Sequence, residues 1–194
     1  MLLSGSIKIE PGPETASDVL AFARTRGANS NLEIGDKGLS FGMDVDKYLE
    51  DMHTRVTGPG SDLIIDGVNF VDGGLNARVR GDGGSLTVDG TLTAQGDISL
   101  RNDGNGGLVV NDTISASEGE IFLRNDGNGG LVVNDTISAS EGEIFLRQTN
   151  NGGLVVNDVL EAGVGDIFLR NDGNGGLVVN CLLYTSPSPR DIGE

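Results

Sequence analysis

The chain has 194 residues, 32 of them glycine and none tryptophan, and it carries a formal net charge of −16. So acidic a surface argues against a nucleic-acid backbone or an anionic membrane as partner, since both are met by clustered Lys and Arg. No run approaches the ~18 apolar residues of a membrane helix, and Met1-Leu2-Leu3 gives way at once to Ser4-Gly5-Ser6, so a signal-peptide apolar region is not expected.

From the N-terminus, residues 4–9 alternate weakly and suit a strand, and Pro11-Gly12-Pro13 breaks it. Residues 17–24 read as a short helix with Ser17 as N-cap and Gly27 as stop, although an extended reading fits nearly as well. Leu32-Glu33-Ile34 and Leu39-Ser40-Phe41 flank Gly35-Asp36-Lys37-Gly38 as in a hairpin. Residues 44–56 give the clearest helical spacing, with Asp44 as cap and Val45, Tyr48, Leu49 and Met52 on one stripe. His53 lies beside that stripe; a lone His of this kind is read as structural rather than as a metal ligand. Thr57-Gly58-Pro59-Gly60 marks a boundary, so residues 1–60 are expected to form a small α+β head or N-terminal cap.

From residue 61 onward the chain repeats. Leu63-Ile64-Ile65-Asp66-Gly67 and Leu86-Thr87-Val88-Asp89-Gly90 are looser forms of a unit that becomes regular at residues 98–120, 121–143, 144–166 and the partial 167–180. The period is 23 residues, and the first two regular copies differ only at Ser99 against Phe122. Fixed periods of this size signal a solenoid, because one unit cannot bury its apolar face alone.

Each unit holds three alternating runs, for example Ile121-Phe122-Leu123-Arg124, Leu131-Val132-Val133-Asn134 and Thr136-Ile137-Ser138-Ala139. The predicted fold class is therefore all-β, a parallel β-helix with about 23 residues and three short strands per coil over residues 61–180. An antiparallel meander is the competing reading, but it leaves the locked spacing without a cause. Alternation points Ile121, Leu123, Leu131, Val133, Ile137 and Ala139 inward, and Phe122, Arg124, Val132, Thr136 and Ser138 outward. Asn111, Asn134, Asn157 and Asn180 should stack so that their amides bond along the axis.

After Asn180 the repeat demands Asp, but the chain reads Cys181-Leu182-Leu183-Tyr184-Thr185-Ser186-Pro187-Ser188-Pro189-Arg190-Asp191. That run resembles one translated frame of the transposase adapter used in sequencing libraries. Residues 181–194 are accordingly read as a non-native read-through tail, with further coils expected in the natural protein; a genuine terminal cap is the competing reading. The sole cysteine would then fall away, and disulfide or thiol chemistry with it.

Three surface features carry candidate chemistry. Glu118, Glu120, Glu141 and Glu143 stack at one corner, where a divalent cation such as Ca²⁺ would relieve their repulsion; plain solvated turns are the simpler reading, and no cofactor is expected. Arg101, Arg124, Arg147 and Arg170 lie two residues before Asp103, Asp126, Thr149 and Asp172, which reads as charge compensation on a wet face. Phe122, Phe145 and Phe168, with Val109, Val132, Val155 and Val178, give two outward apolar columns. These suit either a partner face, such as two further copies in a trimeric fibre, or coverage by a neighbouring part of the chain. Self-association is the expected partnership.

The Gly-Asp-Ile-x-Leu and Gly-Gly-Leu-Val-Val-Asn units over residues 61–180 resemble two groups, filamentous-haemagglutinin-like β-helix adhesins and the shafts of phage tail fibres. Leu86-Thr87-Val88-Asp89-Gly90-Thr91-Leu92-Thr93 and Ser4-Gly5-Ser6-Ile7-Lys8-Ile9 resemble the second in particular. Either resemblance implies a non-enzymatic attachment module outside the cell, on a virion or a cell surface, with a host receptor or glycan as its target. A carbohydrate-active β-helix enzyme is the rival from another class. Such enzymes place irregular Asp, Arg and Lys clusters on particular coils, whereas near-identical coils suit a shaft.

Overall fold

The structure, a computed structural model, describes residues 20–26, 32–35, 51–70 and 73–185. Within them the regular elements are strands: β1 (Leu20–Arg26), β2 (Leu32–Gly35), β3 (Asp51–Thr57), β4 (Leu63–Asp66), β5 (Val68–Phe70), β6 (Gly74–Arg80), β7 (Leu86–Val88), β8 (Leu92–Ala94), β9 (Ile98–Asn102), β10 (Leu108–Val110) and β11 (Ile114–Ala116). The regular repeats follow with β12 (Ile121–Asn125), β13 (Leu131–Val133), β14 (Ile137–Ala139), β15 (Ile144–Gln148), β16 (Leu154–Val156), β17 (Leu160–Ala162), β18 (Ile167–Asn171), β19 (Leu177–Val179) and β20 (Leu183–Thr185).

Each strand pairs with its counterpart one coil away, and every pair is parallel and in register. Three sheets result, of seven, seven and six strands, with orders β1-β3-β6-β9-β12-β15-β18, β2-β4-β7-β10-β13-β16-β19 and β5-β8-β11-β14-β17-β20. This is a parallel β-solenoid with three strands per coil, as the period implied. Leu131 stands beside Leu108 and Leu154, and Ile121 beside Ile98 and Ile144. Leu86 pairs with Leu108, so the 22-residue coil is absorbed without a slip in register.

Period-two alternation decides what is buried. Ile121, Leu123, Leu131, Val133, Ile137 and Ala139 are all at 0% exposure, while Phe122, Arg124, Val132, Thr136 and Ser138 are half-buried on the outside. Cohesion runs between coils rather than within one. Backbone N–H groups of Ile121, Leu131 and Ile137 donate to Glu143, Gly153 and Val159 at 2.9 Å, and those of Asn134 and Ser140 reach back to Val110 and Ala116. Parallel strands leave no backbone group for a partner inside the same coil, so ordering one coil is rewarded only when the next is in place.

Corners where coils touch through backbone need residues without a Cβ. Gly96, Gly119, Gly142 and Gly165 form such a column: a Cβ on Gly142 would fall onto the Gly119 carbonyl, and one on Gly165 onto the Gly142 carbonyl.

Two expectations fail near the N-terminus. The helix expected over 17–24 is strand β1 where it is described, with residues 17–19 outside the described set; the helix expected over 44–56 is strand β3 from Asp51 onward, with 44–50 outside. Among the described residues there is no helix, and none therefore that could cross a membrane. The physical reason is a pre-existing edge. β3 lies between β1 and β6, and its residues alternate, with Thr54 and Val56 buried between half-buried His53, Arg55 and Thr57. An open sheet edge offers a full ladder of hydrogen bonds, which outweighs a weak helical preference.

Of the hairpin expected across residues 32–41, only the first strand is described, as β2. β2 pairs in parallel with β4, and residues 39–41 lie outside the described set, as do 4–9. Parallel pairing thus begins upstream of residue 61. At the other end β20 pairs with β17, placing Leu183 beside Leu160 and Thr185 beside Ala162.

Candidate functional site: the outward columns

Three kinds of column run along the coils. The first is charged and lies on the sheet of β9, β12, β15 and β18. Asp126 accepts from Arg124 Nε of its own coil at 2.7 Å and from Arg101 Nη2 of the preceding coil at 3.0 Å. Asp172 repeats the pattern with Arg170 Nε at 2.6 Å and Arg147 Nη2 at 2.9 Å. Asp103 gathers Arg101, Arg78 and Arg80. Each Asp therefore bridges two coils. Burial pushes the Asp126 carboxyl up, but hydrogen bonds from Arg124 and Thr149 and the charges of Arg124 and Arg101 outweigh it and hold Asp126 below its ordinary 3.8. Asp172 is also held below that value, chiefly by the hydrogen bond from Arg170, against the opposing effect of burial and with help from Arg147 and from the charge of Arg170.

The ladder has one missing rung. Where the other coils carry Asp, the third has Thr149, whose hydroxyl donates to Asp126 Oδ1 at 2.6 Å. Among the described residues, Arg124 is paired with its same-coil Asp126 and Arg147 with the next-coil Asp172 only.

The second kind of column is apolar. Phe122, Phe145 and Phe168 stand in register on the same outer face as the arginines. Phe145 and Phe168 are stacked, with centroids 4.7 Å apart and planes 6° from parallel. Phe122 and Phe145 are looser, at 6.1 Å and 47°. Each ring thus covers part of its neighbour. Val132 and Val155 point outward from a different sheet, that of β13 and β16, and are half-buried. The phenylalanines and valines are two separate columns rather than one face.

Amides make the third kind. On the surface, Asn134 Nδ2 donates to Asn111 Oδ1 and Asn157 Nδ2 to Asn134 Oδ1, both at 2.9 Å, and Asn180 continues to Asn157 at 3.3 Å. This is the ladder that the sequence predicted. A second amide column is buried and was not foreseen: Asn102, Asn125 and Gln148 end their strands pointing inward, at 0% exposure. Asn102 Nδ2 donates to the Gly106 and Gly107 carbonyls while its Oδ1 accepts from Gly104 N–H, closing the turn from inside. Gln148 is longer than Asn and reaches across to Gly127 O at 2.7 Å. The signal was present in the alternation, since Asn125 is the fifth residue of a run whose odd members are buried, but its polarity marked it as turn.

At the acidic corner Glu118, Glu120 and Glu141 are exposed and Glu143 is half-buried; Gln95 Nε2 donates to Glu118 Oε1 at 2.8 Å. Among the described residues no three His, Cys, Asp or Glu side chains converge as a metal site. His53 is half-buried on β3. Cys181 is half-buried against the core, and burial, with Asp158 nearby, pushes its thiol up. The chain matches no protein-family model and, at significant similarity, no curated protein and no solved structure.

Proposed function

We propose that this solenoid is a non-enzymatic shaft: a structural spacer that holds an attachment tip away from a virion or a cell surface, outside the cell. One observation carries the reading. Parallel, in-register stacking gives successive coils the same outward side chains, as at Phe145 beside Phe122 and Phe168, or Asn134 beside Asn111 and Asn157. A surface that repeats along an axis suits length and stiffness more than it suits a single reactive point, which needs groups that differ from their neighbours. Copies of the chain would meet along the outward columns of Phe122, Phe145 and Phe168 or of Val132 and Val155, and the receptor or glycan would be met beyond the shaft.

The test combines length with turnover. Chains carrying extra copies of residues 121–143 should lengthen by about 4.8 Å per copy in small-angle scattering, and the purified protein should leave acidic polysaccharides uncut. Cleavage of such a polymer, abolished by substituting one coil alone, would overturn the shaft reading. Mass in solution addresses the columns: a strict monomer with solvent-protected phenylalanines removes self-association along them.

A further inference from the structure

We propose that the missing rung at Thr149 is a binding site for a single carboxylate, held between Arg124 and Arg147. The two arginines are directly opposite each other on β12 and β15, about 4.8 Å apart in backbone spacing. Like charges so placed repel, and elsewhere in the ladder an aspartate lies between consecutive arginines: Asp126 between Arg101 and Arg124, Asp172 between Arg147 and Arg170. Between Arg124 and Arg147 that position belongs to Thr149, which has no charge to offer and turns its hydroxyl to Asp126.

Both arginines have donors to spare. Arg124 spends Nε on Asp126, and Arg147 spends Nε and Nη2 on Asp172, which leaves terminal guanidinium N–H groups of both. Their side chains are 26% and 36% exposed, open enough to be reached and sheltered enough to gain from a charged partner. A carboxylate there would reproduce the two-coil bridge that Asp126 and Asp172 make.

The same geometry sets what is refused. Asp126 and Asp172 flank the gap on either side, so a polymer with an acid on every unit would carry its neighbouring carboxylates towards them. One acid on an otherwise neutral ligand fits. The chain's net charge of −16 works against any anion at long range, but screening over about 8–10 Å at ordinary salt leaves the two nearby arginines dominant. Phe122 and Phe145 occupy the same outer face two residues earlier, with their rings splayed at 47°, so an acid carried on a sugar ring has apolar surface to rest on.

The test follows the arginine side-chain N–H resonances of the whole chain by NMR during titration with acetate, glucuronate, glucose and a polygalacturonate oligomer. Glucuronate should shift the Arg124 and Arg147 signals saturably, with one equivalent per chain, while glucose does not and the oligomer binds more weakly per acid. Acetate binding as well as glucuronate would support the carboxylate site and remove the rings from it. Thr149→Asp fills the gap from within and should weaken glucuronate by about tenfold or more, while still melting cooperatively. Arg147→Gln should do the same by removing a donor. Glucose acting like glucuronate, or Thr149→Asp protein responding like the wild type, would overturn the assignment.

Discussion

Asn125 donates from Nδ2 to Oε1 of Gln148, 2.8 Å away, inside the core and not on the surface. The same amide also donates to Gly130 O at 2.9 Å. Removing it strands acceptors that water cannot reach, so Asn125→Ala should cost about 3 kcal/mol in urea unfolding. Asn134→Ala breaks an outwardly similar ladder at an exposed position, where water replaces the lost partner, and should cost under about 1 kcal/mol. Equal costs at the two positions would contradict the inside-outside distinction.

Glycine 142 gives a steric prediction. Gly142→Ala would drive a methyl group onto the Gly119 carbonyl, which is backbone and cannot swing away. The coils must part locally, at a cost of about 3 kcal/mol or more. Gly176→Ala meets nothing within 4 Å and serves as the control. A thermal melt that falls for both, or for neither, would reject the corner column as a packing constraint.

Ser99 stands in register with Phe122 and ends the aromatic stack one coil early. Ser99→Phe should extend the stack and raise stability by about 0.5–1 kcal/mol. The gain should vanish in a Phe122→Ser background, because an isolated ring on that face has no neighbour to cover it. A double-mutant cycle measures this directly, and additive effects would refute it.

What was legible before the structure follows from these residues. A repeat of 23 fixes which residue stands above which, and alternation fixes which side it faces; Leu108, Leu131 and Leu154 stack as those two rules require. The rules falter where residue type and position disagree. Asn125 is polar in an inward position, and only the turn carbonyls it satisfies explain it. Over residues 51–56 the apolar spacing mimicked a helix, and nothing local reveals that a sheet edge is already waiting on both sides. The outer columns were legible as columns, but the sharing of each aspartate between coils needs a reach from Arg101 to Asp126 across 25 positions, which no single repeat displays. The gap at Thr149 gains meaning only against that sharing.

The aspartate ladder also sets an acid limit. Asp126 and Asp172 lie below the ordinary aspartate value of 3.8 when folded. A carboxyl with a depressed folded pKa favours the folded state above its unfolded pKa, and that contribution is lost as pH falls through the folded value. From Asp126 and Asp172, stability should gain nothing further between about pH 5 and neutrality and should fall once pH drops below about 4. Asp126→Asn removes one such group, so its melting temperature should start lower at neutral pH and decline less steeply in acid. Parallel curves for the two proteins would show that Asp126 does not contribute in this way.

The last described coil exposes what every earlier coil hides. Leu177 and Val179 are 48% and 38% exposed, whereas Leu154 and Val156, their counterparts one coil back, are at 0%. Among the described residues, β18, β19 and β20 each end their sheet with no further strand beyond them. A polypeptide of this sequence should therefore associate through this exposed edge as its concentration rises. Light scattering should then show the mean mass rising with concentration. Leu177→Lys with Val179→Lys places charge on that edge and should return the protein to a monomer without disturbing the inner coils. Persistence of the oligomers in the double variant would move the association to the outward columns; a wild-type protein that stays monodisperse at high concentration would reject the exposed edge as adhesive.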